Sequence, residues 1–174
     1  MIQAALVRCK FVVLAAVMVT ASGGELKITK DKHFYEMTFP DSWTIDNTGA
    51  VLHGFSEQAK GAKGVISLSG GLYEGGTDNG ESLDGIVKHC KKGYVDAQKW
   101  KLTGTTTLKM DGVDAVMLTF EREENKAPVI SFCYIAVTKK RGYEFIFSCN
   151  KAEESIYANE ISAIVKSFRI TAGK

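Results

Sequence analysis

Proline is scarce in this chain, and nothing in the composition separates one domain from another. Only two prolines, Pro40 and Pro128, occur among 174 residues, and no Pro/Ser-rich linker, internal repeat or low-complexity tract interrupts the sequence. Beyond residues 1–21, a segment of different character, about 150 residues remain, which is enough to bury a substantial core. The sequence therefore predicts a single domain over residues 22–174.

The residue spacings that mark a catalytic or metal centre are also missing. The three histidines, His33, His53 and His89, fall on different predicted elements and have no H-x₃-H or C-x₂-C partner. No G-x-S-x-G nucleophile motif occurs, and the glycine-rich segment 70–80 lacks the G-K-[ST] ending of a phosphate-binding loop. We therefore predict no catalytic residue, no metal ligand and no cofactor, with a cysteine-dependent enzyme as a remaining alternative.

An excess of one charge is lacking once the N-terminal segment is set aside. Residues 1–21 hold two of the 22 Lys+Arg, Arg8 and Lys10, and none of the 20 Asp+Glu, so the remainder is formally 20 against 20. Acidic and basic residues are interspersed along it. Nucleic-acid binding relies on clustered Lys and Arg, so the composition predicts no nucleic-acid partner.

The N-terminal segment has the composition of a secretory signal peptide. Its two basic residues precede a nine-residue apolar run, Phe11–Val19, and small residues lead up to a cleavage site near Ala21. Nine apolar residues are too few to cross a bilayer, which takes about 20. We predict a signal peptide over residues 1–21 and an exported protein, periplasmic or secreted, that contacts a membrane only peripherally if at all. An uncleaved N-terminal anchor is the alternative.

Alternating apolar residues predict short strands over most of the chain. Four strands precede a helix at about 81–98, four more follow it, and a second helix begins after Asn150. Short connections such as the Asp111-Gly112 turn signal favour antiparallel hairpins. The strand Val129–Val137 is apolar on both faces and so must be covered on both. The sequence predicts an α+β protein, an α/β/α sandwich around a mainly antiparallel sheet of about six to eight strands with one helix on each face.

Three structural motifs resemble the PsbP-like superfamily. They are the opening Phe34–Trp43, which ends in Pro-Asp-Ser-Trp, the hairpin Met110–Ala115, and the closing helix Ala163–Phe168. The founding member of that superfamily is an extrinsic subunit of photosystem II, and the fold recurs in a Ran-binding import factor and in small exported bacterial proteins of unknown role. The resemblance implies an α/β/α sandwich that binds other proteins without catalysis, and it carries over no catalytic or metal-binding residue.

The cysteines beyond the N-terminal segment are Cys90, Cys133 and Cys149. Cys133 and Cys149 flank one predicted hairpin, and a three-residue loop 140–142 would set them directly opposite each other, within reach of a disulfide in an oxidising compartment. A two-residue loop would instead send them to opposite faces of the sheet. We predict the first register and a Cys133–Cys149 disulfide.

The glycine-rich segment 70–80 is predicted to be a mobile surface loop and a candidate binding edge. It would expose Leu72 and Tyr73 beside Glu74 and Asp78, and exposed aromatic residues on loops often contact partners. We therefore predict an exported, non-catalytic binding or assembly domain of the cell envelope that acts through a protein partner.

A second hypothesis keeps the fold but changes the class of ligand. The protein would carry a small apolar or lipid molecule between sheet and helix, in a pocket lined by Trp43, Tyr94, Trp100 or Phe168. A solidly packed core around these residues would count against it.

Overall fold

The computed structural model describes residues 25–30, 34–46, 48, 51–57, 65–74 and 77–171. The predicted signal peptide, residues 1–21, lies outside the described residues. Within the described ranges the chain forms ten strands and two α-helices. The strands, in chain order, are β1 (Glu25–Lys30), β2 (Tyr35–Pro40), β3 (Trp43–Asp46), β4 (Leu52–Glu57), β5 (Val65–Glu74), β6 (Lys101–Met110), β7 (Val113–Glu124), β8 (Ala127–Val137), β9 (Arg141–Asn150) and β10 (Arg169–Ile170).

The two helices lie between strands at the positions that the apolar periodicity indicates. Helix α1 (Leu83–Lys92) begins at an N-cap, Ser82, whose hydroxyl accepts a hydrogen bond from the Gly85 amide at 3.0 Å. It continues into a π-helical turn, Gly93–Ala97. Helix α2 (Glu154–Ser167) follows β9 directly through a short 3₁₀ turn.

The strands form two sheets. The main sheet has seven strands in the order β3-β4-β5-β9-β8-β7-β6, and every neighbouring pair is antiparallel. A small sheet has three strands in the order β1-β2-β10. The prediction of an α+β sandwich around an antiparallel sheet is confirmed. The small sheet, which covers one face of the main sheet together with α2, was not predicted.

The main sheet separates two hydrophobic cores. On one face, α1 packs against β7 and β8 through Ile86, Val87 and Cys90, and this cluster is the α1 core. On the other face, α2 and the small sheet cover the larger α2 core. Its completely buried aromatic side chains are Tyr35, Phe39, Tyr143, Phe145, Phe147, Tyr157 and Phe168.

Strand β8 contributes to both cores because successive side chains of a strand point to opposite faces. Cys133 and Ile135 enter the α1 core, while Tyr134 and Ala136 enter the α2 core. The prediction that this strand is covered on both sides is therefore confirmed.

The Asp111-Gly112 hairpin is also confirmed. Both residues have positive φ, 49° and 81°, as a two-residue type I′ turn requires, and they join Met110 and Val113 as the last pair of the β6–β7 ladder. The Asp111 carboxylate also accepts a hydrogen bond from the Ile170 amide at 2.9 Å. This turn therefore ties the main sheet to the small one.

The predicted Cys133–Cys149 disulfide is wrong. Strand β8 pairs with β9 in a register that sets Cys133 opposite Ile146 and Ile130 opposite Cys149. The reason lies in Thr138, whose amide donates to the Arg141 carbonyl at 2.8 Å and closes a two-residue turn. The observed register differs from the predicted one by an odd number of residues, and such a shift sends the two thiols to opposite faces of the sheet. Cys133 is a free thiol in the α1 core and Cys149 a free thiol in the α2 core.

The predicted loop over residues 70–80 is wrong in its first half. Strand β5 continues through the glycines to Glu74, and its last residues pair with β9, Leu72 opposite Tyr143 and Tyr73 opposite Gly142. Backbone N–H and C=O groups of β9 are available for pairing along this edge, and a glycine-rich segment can form hydrogen bonds with them like any other segment. The β5–β9 ladder therefore continues past Gly70 to Glu74.

Candidate functional site

The outer edge of the main sheet is formed by β6, which pairs with β7 and with no other described strand. Its ten residues, at about 3.4 Å each, make an edge of about 30 Å. Side chains at the centre of the strand, Thr105–Thr107, are exposed. The strand at the opposite edge of the sheet, β3, has only four residues.

The two ends of β6 carry the features by which proteins protect a sheet edge, and its centre does not. Lys101 and Lys109 stand near the ends, and a β-bulge between Leu102 and Gly104 shifts the register. From Gly104 to Leu108 the register with β7 is regular, and no charge or proline occurs. On its outer side this central stretch therefore presents main-chain groups that pair with no described strand.

A groove of about 360 Å³ lies beside this stretch, on the α2 face of the sheet, and we call it the edge groove. Its apolar side chains come from three strands and one helix: Leu108, Met117, Tyr134 and Val165. Its polar rim consists of Thr106, Lys109, Asp111, Ser162 and Lys166. Burial raises the pKa of Tyr134 to about 12, so the ring is a neutral phenol at physiological pH.

The groove exists because α2 does not reach the outer strands. The helix packs mainly on β2 and β9, near the middle of the fold. A helix is about 10 Å across, and strands are about 4.8 Å apart, so a seven-stranded sheet extends past it. Two α2-facing side chains of these strands are left half-buried, Leu108 of β6 and Met117 of β7.

Comparison with known proteins rests on structures, since no family model matches the sequence and no curated protein does. Cyanobacterial PsbP from Synechocystis sp. PCC 6803 superposes with a TM-score of 0.59 at 12% identity, over 90% of this chain and 98% of that protein. LpqN of Mycobacterium tuberculosis, described as involved in cell envelope biogenesis, gives 0.59 at 10% identity, over 86% and 91%. The chain has a PsbP-like fold.

A third match comes from Bacteroides thetaiotaomicron, with a TM-score of 0.59 at 14% identity. It covers 87% of this chain and 50% of the other, so this chain spans about half the length of that protein. At such identities the likeness establishes the fold alone, and this fold is the one that the sequence motifs implied.

Within this PsbP-like fold the residues predicted for partner binding lie apart from the edge groove. Leu72, Tyr73 and Glu74 form the end of β5, and β4 pairs with β5 only as far as Gly70 within the described residues. Asp78 lies in a 3₁₀ turn before α1. These residues belong to a short strand end and a turn, not to one loop, and their role in binding stays a prediction.

The α1 core contains a polar cluster around the Glu144 carboxylate. Its Oε1 accepts hydrogen bonds from the Tyr94 hydroxyl at 2.9 Å and from Cys133 Sγ at 3.3 Å. Burial raises the pKa of the Cys133 thiol well above its ordinary value, and the nearby carboxylate raises it further. Because the thiolate is the reactive form of cysteine, this geometry disfavours Cys133 as a nucleophile.

The aromatic residues predicted to line a ligand pocket are packed against other side chains. Trp43 and Phe168 are 4% and 0% exposed and belong to the α2 core. Tyr94 and Trp100 stack on each other with ring centroids 4.7 Å apart, beside the α1 core. None of the four lines the edge groove, so these positions do not support a carrier of the kind predicted.

A second depression, of about 370 Å³, is lined by charged side chains, and two of its four cations, Lys151 and Arg122, are engaged in ion pairs. Lys151 Nζ lies 2.7 Å from a Glu121 carboxylate oxygen. The Arg122 guanidinium bonds Glu124 at 2.9 Å and lies 4.4 Å from the centre of the Trp100 ring.

No helix in the described part of the chain is long and apolar enough to span a bilayer.

Proposed function

We propose that this protein is a non-catalytic binding domain of the cell envelope that holds an extended segment of a partner protein along the β6 edge. The observation that carries this proposal is a ten-residue outer strand, paired on one side only within the described residues, with the edge groove beside it. An extended peptide can add a strand to such an edge. Main-chain hydrogen bonds then supply affinity, and pockets for alternate side chains supply specificity.

The expected complex is weak and reversible. A strand added along Gly104–Leu108 makes about five main-chain hydrogen bonds, each contributing a net ~0.5–1.5 kcal/mol. One apolar side chain buried in the edge groove adds about 1.5–3 kcal/mol. The loss of translational and rotational freedom on association opposes these gains by about 4 kcal/mol or more. We therefore expect dissociation constants of tens of micromolar at the tightest, extending into the millimolar range.

Two observations support an envelope location. The N-terminal segment has the charge, apolar run and small-residue site of a signal peptide. A structure with the same fold, LpqN, is described as involved in cell envelope biogenesis. We infer that the domain works outside the cytoplasm, in the periplasm or beyond it.

One alternative function is favoured by a specific observation. The edge groove, at about 360 Å³, lies within the range of about 300–1,000 Å³ that small-molecule sites occupy. A small apolar ligand bound there would make the protein a carrier. The open side of the groove toward β6 fits a peptide better, because a bound strand would cover it.

Site-specific photo-crosslinking in the native host tests the proposal. A benzophenone amino acid replaces Thr106, which is exposed on β6 beside the groove, and in a control variant it replaces Thr44, which is exposed on the short opposite edge strand β3. We expect a discrete adduct from position 106 alone, with the crosslink mapping to one segment of a partner. The same adducts from both positions, or none from 106, would contradict the proposal.

A further inference from the structure

The β6 edge and the edge groove together restrict which segment could bind. This inference rests on the proposed function and specifies the partner. In a strand added outside β6, successive side chains point to opposite faces. Those on the α2 face would lie beside Thr106 and Leu108, at the rim of the edge groove. Those on the other face would lie beside Thr105 and Thr107, which are exposed. Only every second residue of the bound segment would therefore contact the edge groove.

The floor of the groove selects an apolar side chain. Met117 and Leu108 are half-buried, and Val165 and Tyr134 are nearly covered at 6% and 8% exposure. A methionine adapts its shape to different apolar groups. A polar side chain inserted here would lose its water without a matching set of partners.

The charges around the groove select carboxylates on either side of that apolar residue. Lys166, in the last turn of α2, is exposed on the rim and makes no ion pair with a described residue. Lys101 is exposed at the far end of β6, opposite Glu121, a carboxylate that it shares with Lys151. The one carboxylate on the rim, Asp111, is already bonded to the Ile170 amide at 2.9 Å. Lys109 Nζ, also on the rim, is paired with Asp114 at 2.6 Å, so Lys166 is the rim cation that has no ion pair with a described residue.

A second copy of this chain is a poorer occupant than an acidic segment. Strand β6 itself contains Lys101 and Lys109 and no acidic residue, and of these two cations Lys109 is paired with Asp114 of β7 at 2.6 Å. Two such edges brought together would add cations to cations, and like charges on paired strands are destabilising. We propose that β6 binds an extended acidic segment in which an apolar residue enters the edge groove and carboxylates on the same face lie near Lys166 and Lys101.

Fluorescence anisotropy with defined peptides tests the inference on the purified domain. The probe is a labelled nonapeptide, Glu-Thr-Glu-Thr-Leu-Thr-Val-Thr-Glu, whose apolar and acidic residues share one face. One control peptide has Lys in place of every Glu, and another has Ser in place of Leu and Val. We expect the first peptide to bind at least about threefold more tightly than either control, since exposed ion pairs and one buried side chain are at stake.

Matched protein variants locate the contact. Lys166→Glu is expected to weaken the acidic peptide about threefold and to improve the Lys control peptide. Lys88→Glu makes the same charge change on exposed α1, on the opposite face of the sheet, and is expected to change neither. Equal effects of the two variants would overturn the proposed position of the carboxylate.

Main-chain methylation separates this inference from the function on which it rests. Peptides N-methylated at one alternate set of amides lose the hydrogen bonds of a paired strand, whereas the other set leaves them intact. If one set abolishes binding but the Lys peptide binds as well as the acidic one, strand addition stands and the acidic specificity is wrong. Binding that needs Leu and Val but ignores both sets indicates small-ligand carriage. Failure of the acidic peptide to bind at 1 mM (about −4 kcal/mol), or a dimer lost on Thr105→Lys, overturns the inference.

Discussion

The hydroxyl of Tyr143 provides a sharp test of the α2 core. It is completely buried, and it has no hydrogen-bond partner within the described residues. Burial raises the pKa of this phenol. A buried polar group without a partner costs about 1–3 kcal/mol, and removing it recovers that amount. Tyr143→Phe, which keeps the ring and its contacts with Tyr35 and Phe168, is therefore expected to raise the free energy of unfolding by about 1 kcal/mol.

Tyr94→Phe is the matched control because its hydroxyl does have a partner. It donates to the Glu144 carboxylate at 2.9 Å, and a hydrogen bond to a charged group contributes about 1.5–3 kcal/mol. This variant is expected to lower the free energy of unfolding by that amount. Urea denaturation monitored by circular dichroism measures both, with unchanged m-values as the sign that the denatured state is unaltered.

The two variants must move in opposite directions. If Tyr143→Phe destabilises the protein by more than 1 kcal/mol (about the net value of one hydrogen bond), its hydroxyl has a partner, such as a buried water bridging it to Tyr35, and the reasoning fails. Tyr35→Phe separates these cases, because its hydroxyl is also buried without a described partner. A shared water would make the double variant no worse than either single one.

Three further perturbations test the electrostatics, a turn and an interior cation. Burial raises the pKa of Cys149 to about 11, so the thiol of the unfolded chain ionises at lower pH than the thiol of the folded protein. The free energy of unfolding, measured by urea titration, should therefore fall by about 2–3 kcal/mol between pH 9 and 11. The Cys149→Ala variant should show a smaller fall. Gly112→Ala places a side chain at φ 81° and should cost about 1–2 kcal/mol, whereas Gly93→Ala, at a helical φ of −60° with open space around it, should stabilise by about 0.5–1 kcal/mol in thermal melts. Arg122→Lys keeps the charge but loses the guanidinium, which lies over the Trp100 ring and donates to two buried serines, Ser131 and Ser148. This variant should lower Tm. The surface control Lys88→Arg should leave Tm unchanged.

The parts of the fold that local chemistry determines were predictable from the sequence. Asp111 and Gly112 tolerate positive φ, so their turn fixes the β6–β7 register. The run Val129–Val137 is apolar on both faces, which requires a strand covered on both sides. The helix predicted at about 81–98 is present as α1 and the π-helical turn that follows it, and it buries Ile86, Val87 and Cys90.

The parts that depend on competing hydrogen bonds were not predictable in the same way. The β8–β9 register turns on Thr138, whose hydroxyl accepts from the Arg141 amide at 3.0 Å and stabilises a two-residue turn where glycine at 142 suggested a longer one. The start of α1, predicted at about 81, is set by Ser82, whose hydroxyl accepts from the Gly85 amide.

The sequence of β6 contains a pattern that is typical of a sheet edge, although its polar composition makes the strand hard to recognise. Residues 103–107 read Thr-Gly-Thr-Thr-Thr, a β-branched run with no large apolar side chain on either face. Such a strand has good β propensity but little to bury, which is typical of a sheet edge. The edge groove itself could not be predicted, because it arises from the distance between α2 and the outer strands.

The asymmetry between the two edges of the main sheet bears on function. At the short edge, Trp43 of β3 is 4% exposed and its Nε1 donates to Glu160 of α2 at 2.6 Å, so that edge is fastened to the core. At the long edge, the side chains at the centre of β6 are exposed and contribute little buried surface. Stability therefore resides in the interior strands and the short edge, and substitutions at Thr105 or Thr107 should leave unfolding unchanged within about 0.5 kcal/mol. If such variants alter peptide binding while keeping wild-type stability, the long edge is retained for recognition, because folding alone does not require it.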